Sequence, residues 1–273
     1  MDLKALRDAA TEAILDIARP AFRKGAEDII SKESDVVAGD VVTDVDTSVQ
    51  NALALVLPKL LPGSRFVGEE DFQEIEDPAA QPTWILDPLD GTYNFARGFP
   101  CYGCALALLI DGTPVMAIVY DGVGEVMFDA IAGQGARENG KALRFNVETA
   151  ASAPAAISSG FLQFALDHPE AKLLEAVRSV SPRFRVFGSQ AVQLCWAASG
   201  KLAFNVNRET KLWDDAAGWL IATEAGAAHK LASGAPLFPL KSGSGAVKGE
   251  SLFSMAGEPA AVEKVFEAVS GLV

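Results

Sequence analysis

Cysteine and histidine are scarce in this 273-residue chain. The three cysteines, Cys101, Cys104 and Cys195, are too few, and odd in number, for a secreted disulfide framework. Cys101 and Cys104 have the spacing of a redox or metal pair, but no second pair accompanies them and there are only 2 histidines. They lie in an apolar run from Cys101 to Ile110 and read as small buried strand residues. No stretch is long and apolar enough to span a membrane. The start, Met1-Asp2-Leu3-Lys4, lacks the basic-then-apolar pattern of a signal peptide, so the cytoplasm is the expected location. Basic residues are also short: 23 against 36 acidic leave a net charge of −13, which argues against nucleic acid or an anionic membrane as partner. An acidic protein that takes an anionic substrate needs cations to reverse its local field, which a metal site provides. Simple acidity of a soluble protein is the alternative.

What the chain does have is a hydrophobic fraction of 49%, enough for a sizeable core, and a length that suits two fused domains. Leu3, Leu6, Ala10, Ile14, Ile17 and Ala21 mark one face of a helix, expected to kink or break near Pro20. A polar loop follows from Ser31 to Asp40, then a second helix through Val49, Leu53, Val56, Leu57 and Leu60, stopped by Pro62-Gly63. Asp46 falls near the start of that helix, where an acid caps well. Arg65-Phe66-Val67 is a short strand candidate running into the acidic Gly68-Glu69-Glu70-Asp71.

Strands are expected at Cys101–Ile110, Thr113–Tyr120 and Glu125–Ala130, joined by hairpin signals, with another at Leu143–Val147. This predicts an antiparallel meander with helices on one face, an α+β layer. The small residues from Ala150 to Pro154 suggest a boundary, dividing the chain into an N-terminal α+β domain, 1–150, and a C-terminal α/β domain, 151–273. Beyond it, strands at 156–159, 184–187, 202–206, 228–231 and 252–256 alternate with helices at 169–180, 189–199, 213–225 and 259–273.

One stretch stands apart. The apolar Trp84-Ile85-Leu86 runs directly into Asp87-Pro88-Leu89-Asp90-Gly91-Thr92. Two acids at a strand end, beside backbone N–H groups and a hydroxyl, suit a hard cation plus an oxyanion; Mg²⁺ takes one or two carboxylates and completes its shell with water and phosphate. A plain turn explains the same residue types. Further acids sit at Asp46, at Glu69, and at Asp214 in Trp213-Asp214-Asp215-Ala216-Ala217-Gly218, which opens an apolar helix.

With these motifs in this order, the chain resembles the inositol monophosphatase family of Mg²⁺-dependent, lithium-sensitive phosphatases. Residues 84–95 look like that family's first signature, and 213–218 through Glu224-Ala225-Gly226 like its second. Val42-Thr43-Asp44-Val45-Asp46 and Gly68-Glu69-Glu70 fit its upstream motifs, and Phe99-Pro100 fits as well. The resemblance implies the layered αβαβα sandwich of the inositol monophosphatase and fructose-1,6-bisphosphatase type, in a homodimer.

By position it implies two Mg²⁺ ions and a weaker third near Glu69. Glu69, Asp87 and the Leu89 carbonyl would hold the first, and Asp87, Asp90 and Asp214 the second. Thr92 and Asp46 would pair beside the attacking water, with Glu69 also among the catalytic groups. Gly91 and Thr92 would offer N–H groups to phosphate. Asp90, Asp214, Gly188, Ser189, Gln190 and Asn207 would lie on the substrate side. The expected activity is hydrolysis of a small sugar-alcohol phosphate, inositol monophosphate first. Histidinol phosphate, fructose 1,6-bisphosphate and adenosine 3′,5′-bisphosphate are substrates of other branches. A phosphatase-like protein that binds a transcription or ribosome component is the reading from another class.

Departures from the family pattern bear on the substrate. Asp35 stands where many members carry a lysine, leaving Lys32 to reach that place through a different loop. Asn207 stands where inositol-type members have a glutamate. Arg97 follows Asn94-Phe95, either to touch an anionic group or as a solvated loop residue.

Overall fold

The computed structural model describes residues 1–31 and 41–273; Lys32 and Asp35, with the rest of the expected loop after Ser31, lie outside the described residues. Helix α1 (Leu3–Lys24) is capped by Asp2, which accepts from the Lys4 and Ala5 N–H groups at 3.0 and 3.1 Å. Its buried Leu6, Ala10, Ile14, Ala18 and Phe22 recur at three- and four-residue steps. The expected break at Pro20 does not occur. Pro20 is exposed, so water can serve the carbonyl it leaves unbonded, while Ala18 and Phe22 are buried on either side. Strands β1 (Ile29–Ser31) and β2 (Val41–Thr43) pair antiparallel and lead into helix α2 (Asp44–Leu60).

A seven-stranded sheet follows, in chain order: β3 (Arg65–Gly68), β4 (Thr83–Asp90), β5 (Gly103–Ile110), β6 (Thr113–Asp121), β7 (Val126–Ile131), β8 (Gly135–Glu138) and β9 (Lys141–Leu143). Only β3 and β4 are parallel; the rest is an antiparallel meander. The continuous apolar runs are explained by burial on both faces. Trp84, Leu86, Cys104, Leu106 and Leu108 pack toward α1 and α2. Ile85, Ala105, Ala107 and Leu109, on the alternate positions, pack toward α7 (Gln190–Ala198) and α8 (Leu212–Ala225). Helices therefore cover both faces, not one as expected, because the second half of the chain supplies the second cover.

A five-stranded sheet takes the order β11 (Phe184–Arg185), β10 (Ala155–Ile157), β12 (Phe204–Thr210), β14 (Leu252–Gly257), β13 (Ala228–Leu231). One face lies on α7 and α8 and the other on α5 (Ser159–Asp167), α6 (Leu173–Val180) and α9 (Pro259–Val269). The layers run α, β, α, β, α, as the resemblance implied.

Several local expectations shift. The strand expected over Leu143–Val147 ends at Leu143, and Asn146 instead caps the short helix α4 (Val147–Ala150). The helix expected over 169–180 is split by Lys172, at φ 52°. The strand expected over 202–206 begins at Phe204 and runs to Thr210. Helix α5, capped by Ser158, and strand β8 were not anticipated. Among the described residues, no helix is long and apolar enough to cross a membrane.

Candidate metal and phosphate centre

The site begins at the carboxyl ends of two parallel strands. Gly68 on β3 lies level with Leu86 on β4, and the Glu69 N–H continues the pairing by donating to the Leu86 carbonyl at 3.1 Å. Glu69 and Asp87 thereby leave the sheet side by side. Asp87 and Asp90, three positions apart, would face opposite sides of a regular strand. The pairing of β4 with β5 shifts register between them, and that irregularity turns both acids to one side. Asp214, in the first turn of α8, completes the group: one carboxylate oxygen each from Asp87, Asp90 and Asp214 lies within 4.8 Å of the others.

Each acid has a fixed partner. Asp87 Oδ1 accepts from the Leu89 N–H at 2.9 Å, and Asp214 Oδ2 accepts from the Lys211 N–H at 2.7 Å, closing the start of α8. Asp90 accepts from Ser189 Oγ at 2.5 Å and from the Gln190 and Ala191 N–H groups at 2.9 and 2.8 Å. A carboxylate from β4 thus caps α7, which lacks a side-chain cap of its own.

Burial, and then the charges of Glu69, Asp90 and Asp214, push the Asp87 carboxyl well above the usual range. Asp214 is pushed well up by burial and then by Asp90 and Glu69. Burial raises Asp90 to about 6, against the downward pull of its bonds to Ser189 and the α7 backbone. So many acids resisting ionisation together form a site short of positive charge. An all-oxygen donor set of this kind fits a hard divalent cation such as Mg²⁺.

Beside the group lies a hydrogen-bonded pair. Asp46 is fully buried in the first turn of α2; its Oδ2 accepts from the Thr43 N–H and hydroxyl at 2.8 and 2.5 Å. Its Oδ1 accepts from Thr92 Oγ1 at 2.8 Å. Asp46 therefore closes the start of α2 and also reaches Thr92. Thr92 Oγ1 also lies 2.9 Å from the Leu89 carbonyl, so one proton serves two acceptors. Burial raises the Asp46 carboxyl, partly offset by the Thr43 and Thr92 bonds. Gly91, between Asp90 and Thr92, holds φ +90°, and a Cβ there would meet the Cys101 and Gly188 carbonyls.

A cleft of ≈ 310 Å³ opens over these groups, lined by Glu69, Asp87, Leu89, Asp90, Gly91 and Thr92 on one side. On the other side it reaches Gly188, Gln190, Asn207 and Asp214, together with Tyr93, Ser159, Gln193 and Glu209. Ser189 sits behind Asp90 and not on the wall. Gln190 and Asn207 belong to a buried amide network: Gln190 Nε2 donates to Asp215 Oδ1 at 2.8 Å. Its Oε1 accepts from Asn205 and Asn207 at 2.9 and 3.2 Å. Arg97 lies over the Tyr93 ring, 5.7 Å from its centroid. Cys101 and Cys104 are free and buried, with thiols pushed up to about 12 by desolvation.

Sequence reasoning missed Gln50, which donates to Asp71 Oδ1 at 2.7 Å and accepts from the Glu70 N–H at 3.1 Å, holding the turn that carries Glu69. A polar residue one turn from Asp46 on the apolar face of α2 was the available signal. Asn94 was quoted only as part of a motif; its amide bridges the Cys101 and Phe187 carbonyls at 2.8 and 2.5 Å.

Comparison with known proteins identifies the family and the fold. The family model described as "Inositol monophosphatase family" matches residues 2–266. Inositol monophosphatase 2 of Solanum lycopersicum is 34% identical over 197 residues, 68% of this chain and 73% of that protein. Nus factor SuhB of Pasteurella multocida (strain Pm70) is 32% identical over 188 residues, 68% of this chain and 70% of that one. The structure of a Staphylococcal IMPase-I complexed with products superposes with a TM-score of 0.81 at 22% identity, covering 100% of this chain and 97% of that one. An IMPase/NADP phosphatase complexed with Mg²⁺ and phosphate gives 0.79 at 20% identity, covering 98% and 96%. On sequence the chain belongs to the inositol monophosphatase family, and its fold is shared with the solved members.

Proposed function

We propose that this chain is a Mg²⁺-dependent phosphomonoesterase of the cytoplasm that hydrolyses a small sugar-alcohol phosphate, with inositol monophosphate as the first candidate. One observation carries the reading: the clustered oxygens of Asp87, Asp90 and Asp214 line one cleft with Thr92, whose hydroxyl is bonded to the buried Asp46. Glu69, Asp87, the Leu89 carbonyl, Asp90 and Asp214 are the groups proposed to hold Mg²⁺. The chemistry supplied by bound Mg²⁺ is activation of water and neutralisation of charge on the phosphate and the departing oxygen. Thr92, held by Asp46, positions the attacking water, and Asp46 draws its proton through the Thr92 hydroxyl. Gly91 and Thr92 present backbone N–H groups to the phosphate. Ser189 and the start of α7 fix the Asp90 carboxylate.

The two sheets, divided near residue 150, are proposed as two folding units, and the working form as a homodimer. The test is phosphate release with and without Mg²⁺ from inositol 1-phosphate, histidinol phosphate, fructose 1,6-bisphosphate, adenosine 3′,5′-bisphosphate and glycerol 2-phosphate. Mg²⁺-dependent release with one clear preference supports the reading. Lithium at millimolar concentration is expected to inhibit it. The second reading is a binding protein, favoured by the name Nus factor SuhB on relatives from Pasteurella multocida and Vibrio cholerae. Absence of release from every substrate, with folded and Mg²⁺-loaded protein, would favour it.

A further inference from the structure

The lining of the cleft includes five carboxylates, those of Glu69, Asp87, Asp90, Asp214 and Glu209, and no lysine, arginine or histidine is among its described lining residues. The first four surround the proposed metal centre, where divalent cations offset them. Glu209 does not belong with them. It comes from β12 and rests on α5, elements that contribute nothing to the metal group. The nearest cations in sequence are engaged elsewhere, Lys211 Nζ donating to the Gly249 carbonyl at 2.9 Å. Arg208 lies over the Phe164 ring at 4.5 Å, and Arg97 over Tyr93.

Glu209 is exposed and held by two hydrogen bonds. Its Oε2 accepts from the Gly160 N–H at 3.2 Å, and its own N–H donates to Asn207 Oδ1 at 3.0 Å. A Cβ on Gly160 would overlap the Glu209 carboxyl, so glycine makes room for the side chain. The bond from Gly160 satisfies a first-turn N–H of α5 beside the Phe161 N–H taken by Ser158, and it uses only one of the two Glu209 oxygens. Its neighbours on the wall are committed to one another. Gln190 Oε1 accepts two amide hydrogen bonds, and Asn207 Oδ1 takes the Glu209 N–H. Glu209 Oε1 has no partner among the described residues and is the acceptor left for a ligand.

We propose that Glu209 selects the leaving alcohol, accepting a hydrogen bond from one of its hydroxyl or ammonium groups while its charge turns away a second phosphate. This rests on the phosphomonoesterase reading above and narrows it. The substrates are monophosphates of polyols or amino alcohols, not bisphosphates. A site committed to an acceptor rewards a donor, and an uncompensated like charge rejects an anion.

Glu209→Gln keeps the size and the acceptor for Gly160 and removes the charge. Steady-state kinetics with Mg²⁺ compare inositol 1-phosphate, histidinol phosphate, fructose 1,6-bisphosphate and 4-nitrophenyl phosphate, which lacks a donor. The expected result is a loss of about 10-fold in kcat/KM, carried by KM, for the donor-bearing monophosphates, the scale of one charge-assisted hydrogen bond. A loss confined to histidinol phosphate identifies ammonium as the donor, and a loss for inositol 1-phosphate identifies hydroxyl. Activity on the bisphosphate rises, and that on 4-nitrophenyl phosphate stays. Gly160→Ala, which displaces the carboxyl and keeps its charge, lowers the same monophosphates. Equal changes for all four compounds, or none, overturn the proposal. Calorimetric binding of the same compounds to Thr92→Ala protein with Mg²⁺, with and without Glu209→Gln, reads the discrimination with turnover slowed, and phosphate release is read on the unaltered protein. Discrimination that depends on Glu209 without phosphate release overturns hydrolysis and keeps Glu209; discrimination unaltered by the substitution overturns Glu209.

Discussion

The two ends of the cleft are built differently. At the metal end, Asp87, Asp90 and Asp214 are set by a strand irregularity and a helix start within the packed middle of the fold, and each carboxylate is tied to a backbone N–H. At the other end, Asn207 and Glu209 sit toward the carboxyl end of β12, half-buried and exposed. Rigid, desolvated groups suit a reaction that must stabilise charge, because little reorganisation is left to the moment of reaction. More exposed groups at a strand end suit selection, since they change at small cost to the core. The contrast predicts large, substrate-independent losses from the first end and moderate, substrate-dependent ones from the second.

The largest expected effect is from Asp87→Asn, which removes a charge at the centre of the group and almost no volume. Turnover on every substrate should fall by at least about 10³-fold, the several kcal/mol expected of lost metal stabilisation. The circular dichroism spectrum should be unchanged. Activity like that of the unaltered protein would remove Asp87 from the proposed metal set. Thr92→Ala comes next, with a fall in kcat of about 10²-fold, the low end for a group that positions or moves a proton. Its Mg²⁺ affinity, measured by calorimetry, should stay near the original. Weakened Mg²⁺ binding with unchanged turnover at saturating metal would make Thr92 a turn residue.

How legible each end was follows from the same contrast. Asp87 and Asp90 stand out because they end an apolar run and adjoin Gly91-Thr92, a local signal. The three hairpin-joined strands β5, β6 and β7 were legible for the same reason, their turns being local. Helix α5 was not: its nine residues start Ser-Gly, and Phe161, Phe164 and Ala165 give only one turn of helical spacing. Glu209 meets Gly160 across 49 positions, and Asp90 meets Ser189 across 99, separations over which a single sequence carries no pattern. The helices on the second face of the large sheet were hidden likewise, because strands buried on both faces look alike whatever covers them.

Ser189→Ala tests one of those long-range contacts. It leaves Asp90 its backbone donors and removes the 2.5 Å hydroxyl bond. Mg²⁺ affinity should fall by about 10-fold, as for loss of a group that orients a ligand. Activity at saturating Mg²⁺ should largely return. Unaltered affinity would show that the α7 backbone alone fixes Asp90.

The smallest effect is on stability, and its sign separates the two ends again. Burial raises the carboxyls of Asp87, Asp90 and Asp214 above their unfolded values, Asp90 to about 6, and repulsion adds to it at Asp87 and Asp214. Without metal, the folded chain therefore binds more protons than the unfolded chain once the pH exceeds the ordinary carboxylate value of about 4. Their contribution is fully present below that value and is lost as the pH rises through about 6, where Asp90 ionises. The Tm of the metal-free protein should fall across this window by calorimetry. Mg²⁺ should raise it by an amount that grows with pH, because metal binds the ionised acids. Asp87→Asn should flatten the metal-free curve by removing one of the three charges, and Glu209→Gln should leave it as it is. A metal-free Tm that climbs from about pH 4 to about pH 7 would mean that the protein itself neutralises the group, and the case for a resident cation would lose its electrostatic support.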